Sequence, residues 1–391
     1  MKGWQGLCLA LTIFAASGCS QTPSVAFSAD GKQIAYVSPD AGIVVRDTAG
    51  LGNKKVYKEP SAYQLSWSPD AKYLVWTDAP TMGAVQAEKP VKTRLLSFFT
   101  GEARTLPASL LGPFRWSKDS GSVTGFVAIN ETGRESDFAM KEVTLDLVSD
   151  KETEGMVGTY LPLAVFPQSN VMLVADKKDI YQLDETGITE FKGLAKINPT
   201  GFATAPEGKL LLVKSEADGK GIKNAVFFYT TGGQRQDLEL PNGLAYSKLA
   251  GKKVRAICAA SPDGKWLIVE RREDVSKLPM LQADLVLQAT PKLSAEYERR
   301  YSQFAMLSEK GKYRHGYELV ERSTGRSRDI AVELAPPGLG PNAEATWSPD
   351  GAYVALGLEL QQGRQGLWLM DTQSGSVAKL VDYTPPPAAS K

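Results

Sequence analysis

One short pattern does most to limit how this chain can fold: an apolar strand runs into Ser-Pro-Asp-Gly and is answered at once by a second apolar strand. Ala26-Phe27-Ser28-Ala29-Asp30-Gly31 precedes Gln33–Val37, and Ser66-Trp67-Ser68-Pro69-Asp70 precedes Tyr73–Trp76. Arg115-Trp116-Ser117-Lys118-Asp119 precedes Val123–Val127, Ala260-Ser261-Pro262-Asp263-Gly264 precedes Trp266–Val269, and Thr346-Trp347-Ser348-Pro349-Asp350-Gly351 precedes Tyr353–Leu356. Two degenerate copies, around Pro167-Gln168 and Pro206-Glu207-Gly208, fill the middle. The turn positions 30, 70, 119, 168, 207, 263 and 350 make seven units spaced 39 to 56 residues apart, except for 87 before the last. Each turn has a chemical reason: proline presets φ, aspartate bonds its own backbone, and glycine takes the positive φ, so the two strands form a hairpin.

A third apolar strand follows, as in Val226–Tyr229, Tyr317–Val320 and Leu367–Met370, each ending in a polar turn with a glycine; a weaker fourth strand, such as Val377–Val381, closes the unit. Four strands in about 40–50 residues is the period of a propeller blade. The expected fold is therefore all-β, a seven-bladed β-propeller of four-stranded antiparallel blades over residues 25–383. The Trp-Ser-Pro-Asp-Gly units resemble the WD-like propeller repeat of the TolB family. That resemblance implies a binding role in the cell envelope, as an interaction platform for an envelope protein partner. The first blade begins soon after residue 19 with no spare strand ahead of it, so blades one and seven are expected to meet by side-chain packing without sharing a strand.

The first residues read as an address. Lys2 precedes an apolar stretch from Trp4 to Ala16 that is shorter than the roughly 20 apolar residues of a membrane span. Ala16-Ser17-Gly18-Cys19 then resembles a bacterial lipobox, which implies a signal peptide over 1–18, a lipidated Cys19 and a short linker over 19–24. The multiple acyl chains of such a terminus anchor stably. Ser20 in second place is similar to lipoproteins sorted to the outer membrane, facing the periplasm, if the host is diderm. Residues 384–391, with Pro385-Pro386-Pro387, form a stiff tail.

Three connections between second and third strands are long: residues 77–92, 130–137 and 271–312. They belong to the same loop class and so are expected on one rim. The largest, an insertion over about 272–312 in the sixth blade, is read as partly helical. Leu293, Tyr297, Tyr301 and Phe304 recur at helical spacing between Pro291 and Gly311. It is either a lid packed on its own propeller or a partner-binding helix; in the second case Arg271, Arg272, Arg299, Arg300, Tyr301 and Phe304 are the contact candidates, since Arg and aromatics dominate hot spots.

Catalytic signatures are scarce. The 391 residues carry 45 basic and 44 acidic side chains, one histidine and three cysteines. A formal net charge of +1 lacks the basic footprint of a nucleic-acid binder. No nucleophile elbow, zinc-binding helix, paired Cys-x-x-Cys or phosphate loop occurs, so neither cofactor nor metal is expected. Cys258, in an apolar strand, is read as a buried structural thiol, His315 as a surface or packing residue, and the repeated aspartates as turn formers. Trp67, Trp116 and Trp347 are read as wedges between blades, and Lys248, Lys252, Lys253 and Arg255 as a solvated basic run. Two alternatives to a binding platform stay open: an enzyme acting on envelope or extracellular polysaccharide (lyase or glycosidase), or a small-ligand sensor using the central channel. A peptidase is disfavoured by the lack of a hydrolase domain after the repeats.

Overall fold

Alternating hydrophobicity and turn chemistry fold each repeat into an antiparallel meander, and the computed structural model holds seven such sheets. The structure describes residues 25–383 apart from 60, 79–90, 131–137, 167–170, 177–178, 185, 198, 219, 249–252, 275–312, 331–343 and 360–364. The expected turn at Pro167-Gln168 and the helix within 272–312 thus lie outside the described residues.

Blade one comprises β1 (Val25–Phe27), β2 (Gln33–Ser38), β3 (Gly42–Asp47) and β4 (Lys55–Tyr57). Blade two comprises β5 (Tyr63–Trp67), β6 (Tyr73–Thr77), β7 (Thr93–Ser97) and β8 (Ala103–Thr105). Blade three has β9 (Leu111–Trp116), β10 (Ser122–Asn130), β11 (Phe138–Asp146) and β12 (Glu152–Gly158), and blade four β13 (Leu161–Val165), β14 (Met172–Ala175), β15 (Ile180–Asp184) and β16 (Gly187–Glu190). In blade five β17 (Gly201–Thr204), β18 (Leu210–Ala217), β19 (Gly221–Tyr229) and β20 (Arg235–Asp237) are joined by a fifth strand, β21 (Tyr246–Lys248), which pairs with the first residues of β19. Blade six has β22 (Lys253–Ala260), β23 (Trp266–Asp274), β24 (Tyr313–Glu321) and β25 (Ser327–Asp329). Blade seven has β26 (Glu344–Trp347), β27 (Tyr353–Glu359), β28 (Gln365–Asp371) and β29 (Val377–Tyr383). The four strands of each meander neighbour one another in chain order, and only β21 of blade five lies off that path; helix among the described residues is confined to short 3₁₀ turns.

The core lies between blades, so the second strand of each blade is buried on both faces and reads as an unbroken apolar run. In β18 Leu210 and Leu212 join a cluster with Leu173 of blade four, while Leu211 and Val213 join one with Val269 of blade six. In β23 Leu267 and Val269 turn to blade five, Trp266 and Ile268 to Val354 and Trp368 of blade seven. Period-two alternation therefore sorts residues between two neighbours rather than between core and water.

In five of the seven turns a serine is the hub. Ser68 Oγ donates to Asp70 Oδ1 at 2.7 Å and accepts the Tyr73 N–H at 2.9 Å, while the Ser68 carbonyl accepts the Ala71 N–H at 3.0 Å. Ser28, Ser117, Ser261 and Ser348 repeat the hydroxyl pattern. Where Phe166 and Ala205 replace the serine, these apolar side chains are buried at its place instead. Glycine fills the left-handed position at Gly31, Gly264 and Gly351, with φ of 70°, 68° and 67°; Ala71 and Ser120 hold φ of 57° and 62° without it.

The first strands line the inside of the ring: β5 packs against β1 and β9, and β1 also packs against β26. The tryptophans read as wedges fit this place. Trp67 Nε1 donates to the Ala26 carbonyl of blade one at 3.1 Å, Trp116 Nε1 to Ser66 Oγ of blade two at 3.2 Å, and Trp347 packs against the cluster between blades six and seven. Among the described residues the ring closes as expected, with no shared strand. Ile34, Tyr36 and Val44 of blade one meet Ala355, Leu367, Leu369 and Val381 of blade seven. The turns stack across this seam as they do elsewhere: Gly31 abuts the Asp350 carboxylate, much as Gly351 abuts that of Asp263.

Candidate functional site

In a four-stranded meander the connection between second and third strands emerges opposite the Ser-x-Asp-x turns. The long connections of blades two, three and six run between Thr77 and Thr93, Asn130 and Phe138, and Asp274 and Tyr313, so they share one face of the ring, the loop face. The opposite end is the turn face. In blades three and six the supporting strands are nine residues long, about 30 Å at the strand rise. In blade six pairing runs one-to-one out to Asp274 opposite Tyr313, so residues 272–274 belong to the hairpin.

Beneath the blade-six loop lies a cluster of charge. Register sets Arg255 of β22 directly opposite Arg271 of β23, a like-charge pair that would repel. Glu318 of β24, fully buried, resolves it: Arg255 Nη2 lies 2.8 Å from its Oε2 and Arg271 Nη1 3.3 Å from its Oε1. Arg271 Nη1 also meets Asp329 Oδ1 of β25 at 2.5 Å. Burial works against the Arg271 charge, but bonding and attraction from Asp329 and Glu318 outweigh it and hold the guanidinium above its ordinary pKa. Two cations and two anions leave the cluster neutral, with each charge committed to a partner. Blade three carries a simpler version, in which Arg115 Nη2 bonds the buried Glu142 Oε1 at 2.5 Å.

A polar seam flanks the cluster. Ser215 Oγ donates to the Ile257 carbonyl at 3.0 Å, and Asn224 Oδ1 accepts the Ile257 N–H at 3.2 Å, so blade five satisfies the backbone of β22 where its pairing with β23 slips by one residue. Asn224 Nδ2 also bonds the Leu244 and Arg255 carbonyls. Beside the slip, Cys258 is buried and its thiol donates weakly to the Ala256 carbonyl at 3.7 Å. Burial first, and the charge of Glu270 second, push its pKa far up. A neutral buried thiol is no nucleophile, which fits the structural role expected for it.

Of the contact candidates, Arg271 is placed inside this ion cluster. Arg272 lies on β23 in register with His315 and Val254. Arg299, Arg300, Tyr301, Phe304 and Cys19 lie outside the described residues. Sequence reasoning missed Glu318, Arg255 and Asp329 as one unit. The available signal was a lone acid inside the apolar strand Tyr317-Glu318-Leu319-Val320, which requires a partner cation. Arg255, grouped with a solvated basic run, is that partner; Lys248 of the same run is exposed. No group of three metal-ligating side chains occurs among the described residues, and none of their helices is long and apolar enough to cross a membrane.

No family model and no curated protein matches the chain. Solved structures with a similar fold include a puromycin hydrolase, at 13% identity and a TM-score of 0.51 over 94% of this chain and 55% of that one. The acylaminoacyl peptidase of Pyrococcus horikoshii matches at 13% identity and 0.48, over 93% of this chain and 52% of its own. TolB from Acinetobacter baumannii matches at 14% and 0.35, over 97% and 72%. The chain thus spans about half the length of the peptidase. At such identities the likeness is one of fold: a seven-bladed propeller with both TolB-like and hydrolase-like neighbours.

Proposed function

We propose that this protein is a lipid-anchored propeller of the cell envelope, attached through Cys19 and acting as a protein-interaction platform whose working surface is the loop face. The observation that carries the reading is the expansion of the same connection in blades two, three and six, which gathers the variable material of an otherwise regular ring on one side. Loops on a rigid scaffold are where binding concentrates. Two of the three buried glutamates among the described residues support it too: Glu142 and Glu318 are tied to arginines rather than held free for proton transfer. In a diderm host the lipobox and Ser20 favour the outer membrane, facing the periplasm.

The test is a capture experiment from envelope membranes with the full chain and with a variant whose residues 275–312 are replaced by a short Gly-Ser turn. A partner held by the first and lost from the second, with far-UV circular dichroism unchanged, supports the platform. Identical partners on both remove the blade-six loop from the surface, and capture of none, together with turnover of an envelope glycan, replaces the platform by an enzyme. Substituting Cys19→Ala is expected to release the protein from membranes and abolish acylation of its N-terminus.

A further inference from the structure

Strand β1 begins at the loop face. It runs from Val25 to Phe27 into the turn at Ser28, so Val25 stands at the end from which the second-to-third-strand loops also emerge. Strand β29 leaves at the same end, because it runs back from the turn at Gly375 to Tyr383. Only six Cα–Cα steps separate Cys19 from Val25, about 20 Å even when fully extended.

The strand is also the innermost of its blade, packed against β5 and β26. Reaching the outer edge of blade one from there means crossing three strand spacings, about 14 Å, plus the side chains of β4. Reaching the turn face means passing the height of the ring, about 20–30 Å for strands of six to nine residues.

We infer that the tether turns the loop face, and not the edge or the turn face, toward the bilayer that holds the lipid. The inference rests on the anchor at Cys19. A standing ring would use the whole tether on the radial distance, and an inverted one would exceed it. Among the described residues the loop face carries no strong charge bias: exposed Lys58, Lys92, Lys220, Lys223 and Lys248 stand among Asp40, Asp78, Glu216 and Asp218. The surface is therefore apposed to lipid by covalent reach, and a partner bound there is one seated in or on the same membrane. The turn face, carrying the Phe99 and Val148 side chains, each 92% exposed on turns of adjacent blades, points away from it.

The experiment uses the lipidated full-length protein in a Cys258→Ala background, reconstituted into phosphatidylcholine vesicles containing an acceptor-labelled lipid headgroup. Single donor fluorophores are placed on the loop face by Lys58→Cys, Lys92→Cys or Lys223→Cys, and on the turn face by Lys72→Cys, Lys118→Cys or Val148→Cys. Only variants with unchanged circular dichroism are compared. Energy transfer to the vesicle surface is expected to be at least twofold greater from every loop-face site. The difference should hold when part of the phosphatidylcholine is replaced by anionic lipid, and collapse when a 20-residue Gly-Ser segment is inserted between Ser24 and Val25. Equal transfer from both faces, greater transfer from the turn face, or a difference that survives the long linker overturns the inference. Mass spectrometry of the mature N-terminus separates the two levels. An acylated Cys19 with equal transfer overturns the orientation alone, whereas an unacylated terminus overturns the anchor and the orientation with it.

Discussion

At the residue scale, stability is concentrated in the turn serines. Ser68 is fully buried and its hydroxyl serves an aspartate and a strand N–H at once. Ser68→Ala removes the side-chain acceptor of the Tyr73 N–H and one of the donors to Asp70, which keeps Lys72, and is expected to lower unfolding free energy by about 1–3 kcal/mol, read from the urea midpoint at constant m. Ala71 offers the opposite test. Its φ of 57° is left-handed, so Ala71→Gly relieves strain and is expected to stabilise by roughly 0.5–1 kcal/mol. Ser120→Gly at the equivalent place brings no such gain, because the Ser120 hydroxyl accepts the Asp70 N–H at 3.3 Å. The aspartates give the turns a pH signature. The Ser28 hydroxyl, with the Lys32 N–H, holds Asp30 below its ordinary 3.8, and Ser117 and the Gly121 N–H do the same for Asp119. For Asp70 burial pushes upward, but Ser68, Lys72 and Ser120 together outweigh it. A carboxyl depressed in the fold stabilises above its unfolded value and loses that contribution as pH falls through the folded one. The urea midpoint should therefore hold steady down to about pH 5 and drop below about pH 4, and Asp70→Asn should flatten that drop. A midpoint independent of pH in this range would remove the aspartates from the stability of the turns.

At the element scale, the β22–β25 sheet depends on one acid. Glu318→Ala leaves Arg255 and Arg271 opposed in a buried site, and breaking such a pair costs about 3–5 kcal/mol. Because Arg271 keeps Asp329, the larger share of the loss falls on Arg255. A double variant, Glu318→Leu with Arg255→Met, replaces the charges with apolar volume and should recover most of the loss. Recovery by that pair but not by Glu318→Leu alone, measured by thermal unfolding, identifies the cluster as a matched unit. Equal stability of the single and double variants would show that the two charges act independently.

At the scale of the whole molecule, the seam between blades one and seven is the place where an unlatched ring could open. Its packing matches that of an interior interface, with Ile34 fully buried against blade seven as Leu212 is nearly so against blade four. Ile34→Ala and Leu212→Ala are therefore expected to cost similar amounts, about 2–5 kcal/mol each. A seam variant that costs well under half of the interior one would mean that the ends part before the ring unfolds. Each blade supplies its own strands from one continuous stretch of chain, so a circular permutant that joins Tyr383 to Val25 through a Gly-Ser linker and opens the chain near residue 60 should keep the far-UV spectrum of the parent.

The repeat was legible in six of its seven turns, the one at Pro167-Gln168 lying outside the described residues, because a hairpin turn is a local event: proline, aspartate and glycine act on their own backbone wherever they stand. Strand alternation showed equally well which segments pair in the meanders, and four strands in both the first and the seventh unit gave the mode of closure. The serine hub was less visible, since serine is common and its role appears only once two hydrogen bonds meet on one hydroxyl. The Arg255–Glu318–Arg271–Asp329 cluster was hidden for a different reason. Its four members are spread over 75 positions of the chain, and only the register of β22, β23, β24 and β25 brings them together. The common face of the three long loops, by contrast, followed from their shared place between second and third strands, and the stacked meanders bear it out. Sequence thus determined the turns, the strands, the number of blades and how the ends meet, all set by short-range chemistry and periodicity. Tertiary structure alone decided which charges face one another and that β1 and β29 leave by the same side as the loops, because those depend on where strands lie in space rather than along the chain.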